Sequence, residues 1–287
     1  MGKVKNRQFW ESATMNNASF MQYYRRLVEI NISMFEWTGL PDSVDPRYLE
    51  LALFSEGKAV FFKDEVLGYL ALRCAIGGGL SVYRVPKERR AISENGYNRD
   101  LNEKNSVIIY NNYLRTNSML DAELYAKRLY NIDRTIDVNV NAQKTPILIS
   151  CDENKRLTMK NAYMKYEGNE PVIYGDDSMT PNSIKVFSTG APYVANQLYD
   201  LRTKIWNEAM TVAGISNVGD EKRERMISDE INKSQGSVLA YRNSRLEMRR
   251  LCAKQINRMF PELNVWCNYR ESVEEESQRM KEEVIRE

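Results

Sequence analysis

The 287-residue chain contains no histidine. That removes the commonest general base, the side chain that titrates near neutral pH and the commonest metal ligand together. Its four cysteines, Cys74, Cys151, Cys252 and Cys267, form no C-x-x-C pair and show no close spacing. This argues against a zinc site or a disulfide framework and suits a reducing compartment. Nowhere does G-x-x-x-x-G-K-[ST] occur, so the chain itself is not expected to use ATP. No apolar run approaches the roughly 18 residues of a membrane span, and MGKVKNRQFW lacks the apolar centre of a signal peptide. An intracellular protein with no membrane contact is expected. Charge of one sign is also scarce, since 41 Lys and Arg against 39 Asp and Glu leave a net +2. Contact with nucleic acid must then come from local clusters, or from their repetition in an oligomer.

What is present is globular in kind: 43% hydrophobic and 28% charged, in a chain long enough to bury a sizeable core. The stretch at 190–215 organises the rest. Thr189 or Gly190 is placed to cap a helix, with Pro192 near its first position and Gly214 where it would stop. Val194, Leu198, Leu201, Ile205, Ala209 and Val212 recur at three- and four-residue steps as an apolar stripe. The opposite face carries Asn196, Asp200, Thr203, Asn207 and Thr211. It is polar but almost without charge, as suits a helix lining an aqueous passage. An ordinary solvated surface helix is the plainer reading of the same pattern.

Taken in order, Lys3, Lys5 and Arg7 form a short basic arm, expected to be mobile and placed either to touch phosphate or only to aid solubility. Residues 19–37 read as a helix with Phe20, Tyr24, Leu27, Ile30 and Met34 on one face, and 46–56 as a second. Between 58 and 111 come short β-rich runs at 58–62, 67–73, 80–85 and 106–110, predicting a small barrel or sandwich. Gly77-Gly78-Gly79 is expected in a hairpin turn, because no G-K-[ST] follows it. A long helix returns at 117–143, with Leu124, Leu129, Ile132, Ile136 and Val140 in its stripe. The block at 146–188 holds three strand patterns (146–150, 171–175 and 184–188) around a helical turn at 157–166. So few short strands need neighbours to be stable. Asp176-Asp177 resembles a pair of nuclease carboxylates, but no third carboxylate joins it and Asp-Asp-Ser is ordinary turn chemistry. After Gly214 a polar, charge-dense segment carries Lys222, Arg223 and Arg225. A helix at 244–259, a strand at 263–269 and an acidic, exposed or frayed tail from Glu271 complete the chain.

Several long phrases occur in a fixed order: FEWTGLP (35–41), VIIYNN (107–112), VNVNAQKTPILI (138–149), YEGNEPVIY (166–174) and VFSTGAPYV (186–194), followed by KIWNEAM and KRERMISDE. Together they resemble the portal protein, also called upper collar or head–tail connector, of small short-tailed phages that package a protein-primed linear genome. The resemblance implies a predominantly helical α+β portal fold, with long stem helices, an SH3-like β-barrel wing and a small strand-containing clip. It assigns 1–116 to the wing, 117–145 and 190–215 to stem helices, 146–189 to the clip, 216–237 to a channel loop and 238–287 to a C-terminal part of the wing.

The implied function is a homo-dodecameric ring at one capsid vertex of the virion, assembled in the host cytoplasm. Through it a packaging ATPase drives double-stranded DNA. Implied partners are the major capsid and scaffolding proteins and the tail (lower collar) protein. The stem face would line the DNA channel, Lys222, Arg223 and Arg225 would lie in the channel loop, and Ile147, Ile149, Val172, Ile173 and Val186 would make subunit contacts in the clip. No cofactor, metal or catalytic residue is expected. Two departures stand out. Relatives present lysine rings at positions that here read Ser188 and Gln197, which leaves Arg202 or Lys204 as channel bases. The basic arm is also shorter than in relatives where it helps to hold a packaging RNA, which puts that partner in question. The competing classes are a metal-dependent DNA-processing enzyme built on Asp176 and Asp177, and a scaffold or adaptor protein that forms no channel.

Overall fold

A computed structural model describes residues 2–143, 147–149, 184–186, 192–215 and 228–270, with side chains placed for 17–143, 192–215 and 236–270. Two compact units emerge, one of residues 1–130 with 203–287, the other of residues 131–202.

The first unit is organised around two strands that are buried on both faces. Helices α1 (Gly2–Ser33) and α2 (Pro46–Glu56) flank β1 (Phe35–Thr38), and β2 (Lys58–Asp64), β3 (Gly68–Leu80), β4 (Pro86–Ile92), β5 (Asn98–Asn102) and β6 (Ser106–Tyr110) follow. These last five form one antiparallel sheet in the order β5-β4-β3-β2-β6. Side chains alternate across a strand, so a strand covered on both sides reads as a continuous apolar run. Ala59 and Phe61 of β2, with Val107 and Ile109 of β6, enter one core cluster beside Leu49 and Leu53 of α2. Val60 and Phe62, with Ile108 and Tyr110, enter a second on the other face. That double burial is why KAVFF and SVIIY are legible as strands.

Local signals place α2 as well. Asp45 accepts from the backbone N–H groups of Arg47 and Tyr48 at 2.8 and 3.2 Å, and Pro46 opens the helix. Asp64 does similar work at the end of β2. Its carboxylate accepts from the N–H groups of Val66 and Leu67 at 2.9 and 3.0 Å, from the Tyr97 hydroxyl at 2.6 Å and from Arg99 Nη1 at 2.7 Å. Led by the Tyr97 hydroxyl and then the two amides, these donors hold its pKa well below the usual carboxylate range. A depressed folded-state pKa means stability that is fully present above the unfolded value, about 3.9, and is lost as pH falls below it. Asp64→Asn is therefore expected to flatten the fall of the urea midpoint between about pH 4 and pH 2. Parallel acid profiles for variant and wild type would remove Asp64 from the acid response.

Five sequence expectations for this unit are corrected. The 19–37 helix ends at Ser33, and residues 35–38 pair instead with β9 (Trp266–Tyr269), Phe35 opposite Tyr269. Phe35 and Trp37 point into the core while Glu36 and Thr38 face out, which is a strand's period and not a helix's. The basic arm is also not separate from α1, whose backbone is helical from Gly2. With no proline anywhere in residues 2–33, nothing breaks that helix.

The glycine triplet lies inside β3, not in a turn. Pairing with β4 shifts between Gly77 and Leu80, and Gly78 takes φ +64°, where a Cβ would meet the Glu88 side chain at 2.6 Å. This is a bulge, for which glycine supplies the left-handed conformation. The reversal comes later, at residues 81–84, where Arg84 N–H donates to the Ser81 carbonyl. Residues 80–85 are consequently not a strand of their own, and β4 and β5, rich in charge, are strands that residue composition concealed.

The last long helix of this unit, α5 (Ser228–Met259), begins 16 residues before the expected 244 and absorbs the end of the segment read as a loop. It packs on β6 and β9. Lys222, Arg223 and Arg225 lie outside the described residues, as do the 157–166 turn and the acidic tail.

Candidate functional site

The sequence points to the helices α3 (Met119–Ala142) and α4 (Ala195–Ala213) and to the strands β7 (Ile147–Ile149) and β8 (Ile184–Val186). In the second unit β7 and β8 pair antiparallel, with Ile147 opposite Val186 and Ile149 opposite Ile184. Three of the five proposed clip contacts are thus on one two-stranded ladder. Val172 and Ile173, together with Asp176, Asp177 and Ser188, lie outside the described residues.

Helix α4 starts later than Pro192 suggested. Asn139 explains the delay: its Nδ2 donates to the Pro192 carbonyl at 2.9 Å, and its Oδ1 accepts from Val194 N–H at 3.1 Å. One amide side chain thereby satisfies the entering backbone, and the first helical bond runs from Leu198 N–H to the Val194 carbonyl. In this unit Asn196, Gln197 and Asp200 are exposed. Arg202 is not available as a bare channel base. Its Nη1 lies 3.1 Å from Asp133 Oδ1, and its guanidinium sits 4.2 Å from the Tyr199 ring centroid.

Within the first unit the remainder of α4 keeps Ile205, Ala209 and Val212 of the expected stripe on its covered side and adds Met210 and Ala213 to it. Ala209, Met210 and Ala213 are buried, joining Leu27, Phe54, Ala122, Tyr125 and Ala126 in a cluster that α1, α2 and α3 share. Thr203, Asn207 and Thr211 are only half-exposed, and Thr211 donates to the Asn207 carbonyl at 3.0 Å. Lys204 and Glu208 are the exposed positions here. Glu208 nevertheless accepts from the Tyr125 hydroxyl at 3.1 Å. Burial first, and then the neighbouring Glu208, push the Tyr125 phenol up to about 12.

The stripe of α3 is the expected one only in part: Leu129 and Ile132 are buried, but Leu124 and Val140 are not. Ala122, Tyr125, Ala126 and Leu129 are buried, whereas Leu124 is 47% exposed. Small alanines let neighbouring helices approach closely, so the helix turns that side inward and leaves the larger Leu124 outside. At its far end α4 stops where expected. Gly214 takes φ +87°, its N–H donates to the Thr211 carbonyl, and Ile215 N–H donates to the Met210 carbonyl. That pair of bonds is a Schellman cap.

The most elaborate polar arrangement was not singled out from the sequence. Arg249 of α5, 2% exposed, forms a two-pronged pair with Glu50 of α2 through Nε–Oε1 at 2.9 Å and Nη2–Oε2 at 2.7 Å. Glu50 Oε1 also accepts from Trp37 Nε1 at 2.8 Å. Arg249 donates further to the Asn111 carbonyl at 2.9 Å and to Asn111 Oδ1 at 3.2 Å, and its guanidinium sits 4.0 Å from the Phe35 ring centroid. Burial disfavours its charge, but Glu50 more than offsets this and its pKa rises. Among the described residues its neighbour Arg245 donates to Asn31 Oδ1 at 2.7 Å and to the Ala213 carbonyl at 3.4 Å, and burial pulls its pKa down to about 10. The one sequence clue was a run of arginines on the inward stripe of a helix. Among the described residues no three Cys, Asp or Glu side chains converge as a metal site, and no helix is long and apolar enough to cross a membrane.

A family model described as Phage Connector (GP10) matches residues 1–274. The fold is similar to the portal and tail of native bacteriophage P68, with TM-score 0.52 and 14% identity over 95% of this chain and 93% of that one. An HK97 family phage portal protein from Corynebacterium diphtheriae matches with TM-score 0.43 and 11% identity, over 87% and 92% of the two chains. A chain from the virion of a native gene transfer agent particle matches with TM-score 0.47 and 10% identity, over 93% and 84%.

Proposed function

Since the chain belongs to the phage connector (GP10) family, and so is a portal protein of the virion, we propose that twelve copies form a ring that conducts double-stranded DNA. The observation that carries this reading is the family match over residues 1–274. In the ring, α3 and α4 serve as stem helices, the five-stranded sheet with its flanking helices as an SH3-like wing, and residues 146–189 as the clip. The β7–β8 ladder supports the last assignment, since two three-residue strands bury too little to stand alone and gain from strands of neighbouring copies. The protein acts structurally at the portal vertex, with the packaging ATPase, the capsid and scaffolding proteins and the tail as its neighbours. Assembly takes place in the host cytoplasm. A packaging RNA would meet the N-terminal basic residues.

The channel stripe is best read from exposure. Asn196 and Asp200 are retained from the sequence-based set, Gln197, Lys204 and Glu208 are added, and Thr203, Asn207 and Thr211 are demoted because their own subunit half-covers them. Lys204 is then the base that stands in for the family's lysine rings. Twelvefold repetition amplifies each of these charges, so a net +2 per chain says little about the potential inside the bore.

Native mass measurement and negative-stain micrographs test the ring directly. Closed rings of about twelve copies are expected on this reading, since a head-to-tail interface whose rotation closes makes a ring and not a filament. A persistent monomer or dimer under assembly conditions would overturn the proposal.

A further inference from the structure

Three arginines of the first unit are nearly or fully buried, and they are not treated alike. Arg249 has the Glu50 carboxylate, and Arg245 has an amide oxygen and a carbonyl. Arg89, in β4 and 6% exposed, donates through Nη1 to the Ser106 carbonyl at 2.8 Å and through Nη2 to the Pro86 carbonyl at 2.9 Å. Its Nε is buried without an acceptor. No ion pair among the described residues includes it, although Glu103 acts on it through space. The Tyr110 hydroxyl, 8% exposed, is a second buried polar group without a partner. Both side chains line one cavity of about 430 Å³ between the sheet and α5. Orphaned buried donors are rare in native proteins and call for an explanation.

The rest of the cavity defines what would suit it. Much of its wall is apolar, including Val107, Ile108, Met248 and Leu251, and Arg115 and Arg258 add positive charge while Glu103 adds one negative. Arg115 is held in place, with its guanidinium 4.7 Å from the Tyr110 ring centroid and its Nη1 donating to the Arg84 carbonyl at 2.9 Å. A guanidinium N–H and a phenol O–H without acceptors suit a carboxylate, whose two oxygens both accept. A phosphate dianion would bring more oxygens than there are orphaned donors and would meet Glu103. An apolar body behind the charged group would cover the aliphatic wall.

We propose that this cavity is a binding site for a carboxylate carried on an apolar stem, with Arg89 Nε and the Tyr110 hydroxyl as its donors. The shared chemistry has two sources: a free aliphatic acid, or a glutamate flanked by apolar residues in a protein segment.

The test is calorimetric titration of the assembled full-length protein with hexanoate, acetate, inorganic phosphate and a capped Leu-Glu-Leu peptide. Hexanoate or the peptide is expected to bind at least about tenfold more tightly than acetate or phosphate, because only they cover the apolar wall. Preference for the peptide would identify a protein segment as the source, and preference for hexanoate a free acid. Tyr110→Phe keeps the ring and deletes only the hydroxyl, so it is expected to weaken binding about fivefold with ring assembly unchanged. Arg89→Met is expected to abolish binding. The proposal is overturned if neither hexanoate nor the peptide binds, if phosphate binds as tightly as they do, or if Tyr110→Phe assembles normally and binds with wild-type affinity.

Discussion

Replacing Glu50 with alanine is expected to lower unfolding stability by about 3–5 kcal/mol, because it strands the buried Arg249 charge. The reason lies in where the pair sits. Glu50 belongs to α2, Arg249 to α5, Trp37 to β1 and Asn111 follows β6, so the Glu50–Arg249 pair, with Trp37 on its carboxylate and Asn111 on its guanidinium, ties four parts of the chain together. Asn111 extends the network by donating to Ser118 Oγ at 2.8 Å and to the Thr116 carbonyl at 3.1 Å. Arg249→Met is expected to cost a comparable amount, since it leaves a buried carboxylate whose remaining charged partner is gone. The double variant Glu50→Leu with Arg249→Met removes both charges and should recover most of the loss, as replacements of buried pairs by apolar residues often do. Urea unfolding at one fixed protein concentration measures all four proteins, which matters because assembly itself contributes to apparent stability. A Glu50→Ala loss below about 1 kcal/mol would mean that water reaches Arg249 and the pair is not truly buried.

The second large effect is expected in DNA movement and not in stability. Asn196→Lys adds one positive charge and Asp200→Lys changes the charge by two, which makes three per subunit and about thirty-six over twelve copies, facing a duplex with about one phosphate per 1.7 Å of axis. Both positions are exposed, so the ring should assemble normally. A bore this basic would hold the duplex, and packaging should slow by about tenfold or more at low salt and recover as salt screens the charges. Thr203→Lys with Asn207→Lys serves as the contrast. These positions are half-covered by their own subunit, so lysines there should lower subunit stability before they reach DNA. Wild-type packaging by the Asn196→Lys, Asp200→Lys ring across a salt series would show that this side of α4 does not face the duplex.

How much of this was legible beforehand differs from element to element. Helix α2 was readable to its last residue, because Asp45, Pro46 and Gly57 mark its ends within the chain itself. The stop of α4 at Gly214 was readable for the same reason. Its start was not, because Asn139, more than fifty residues away, decides where the backbone enters the helix. Strands β2 and β6 announced themselves by apolar runs. Strand β4 did not, because PKERRAI is a strand whose central arginine turns inward, and charge in a sequence normally signals solvent.

By itself the sequence determined the things that depend on neighbours along the chain: helix caps, the periods of α3 and α4, the apolar runs of the doubly covered strands, and the long phrases that mark the portal family. It also determined the absence of histidine and of a G-x-x-x-x-G-K-[ST] sequence, which no folding can alter. Tertiary structure alone decided which side of each helix is covered. Period selects a stripe only by hydrophobicity, whereas close packing favours small residues such as Ala122, Ala126 and Ala213, while Leu124 and Leu201 of the expected stripes stay outward. It decided too that Phe35–Thr38 would find Trp266–Tyr269 more than 220 residues away. Finally it decided the pairing of Arg89, Arg245 and Arg249. Three residues of one type receive a carbonyl pair, an amide and a carboxylate, because a buried charge is governed by what stands opposite it in space and by nothing written beside it in the chain.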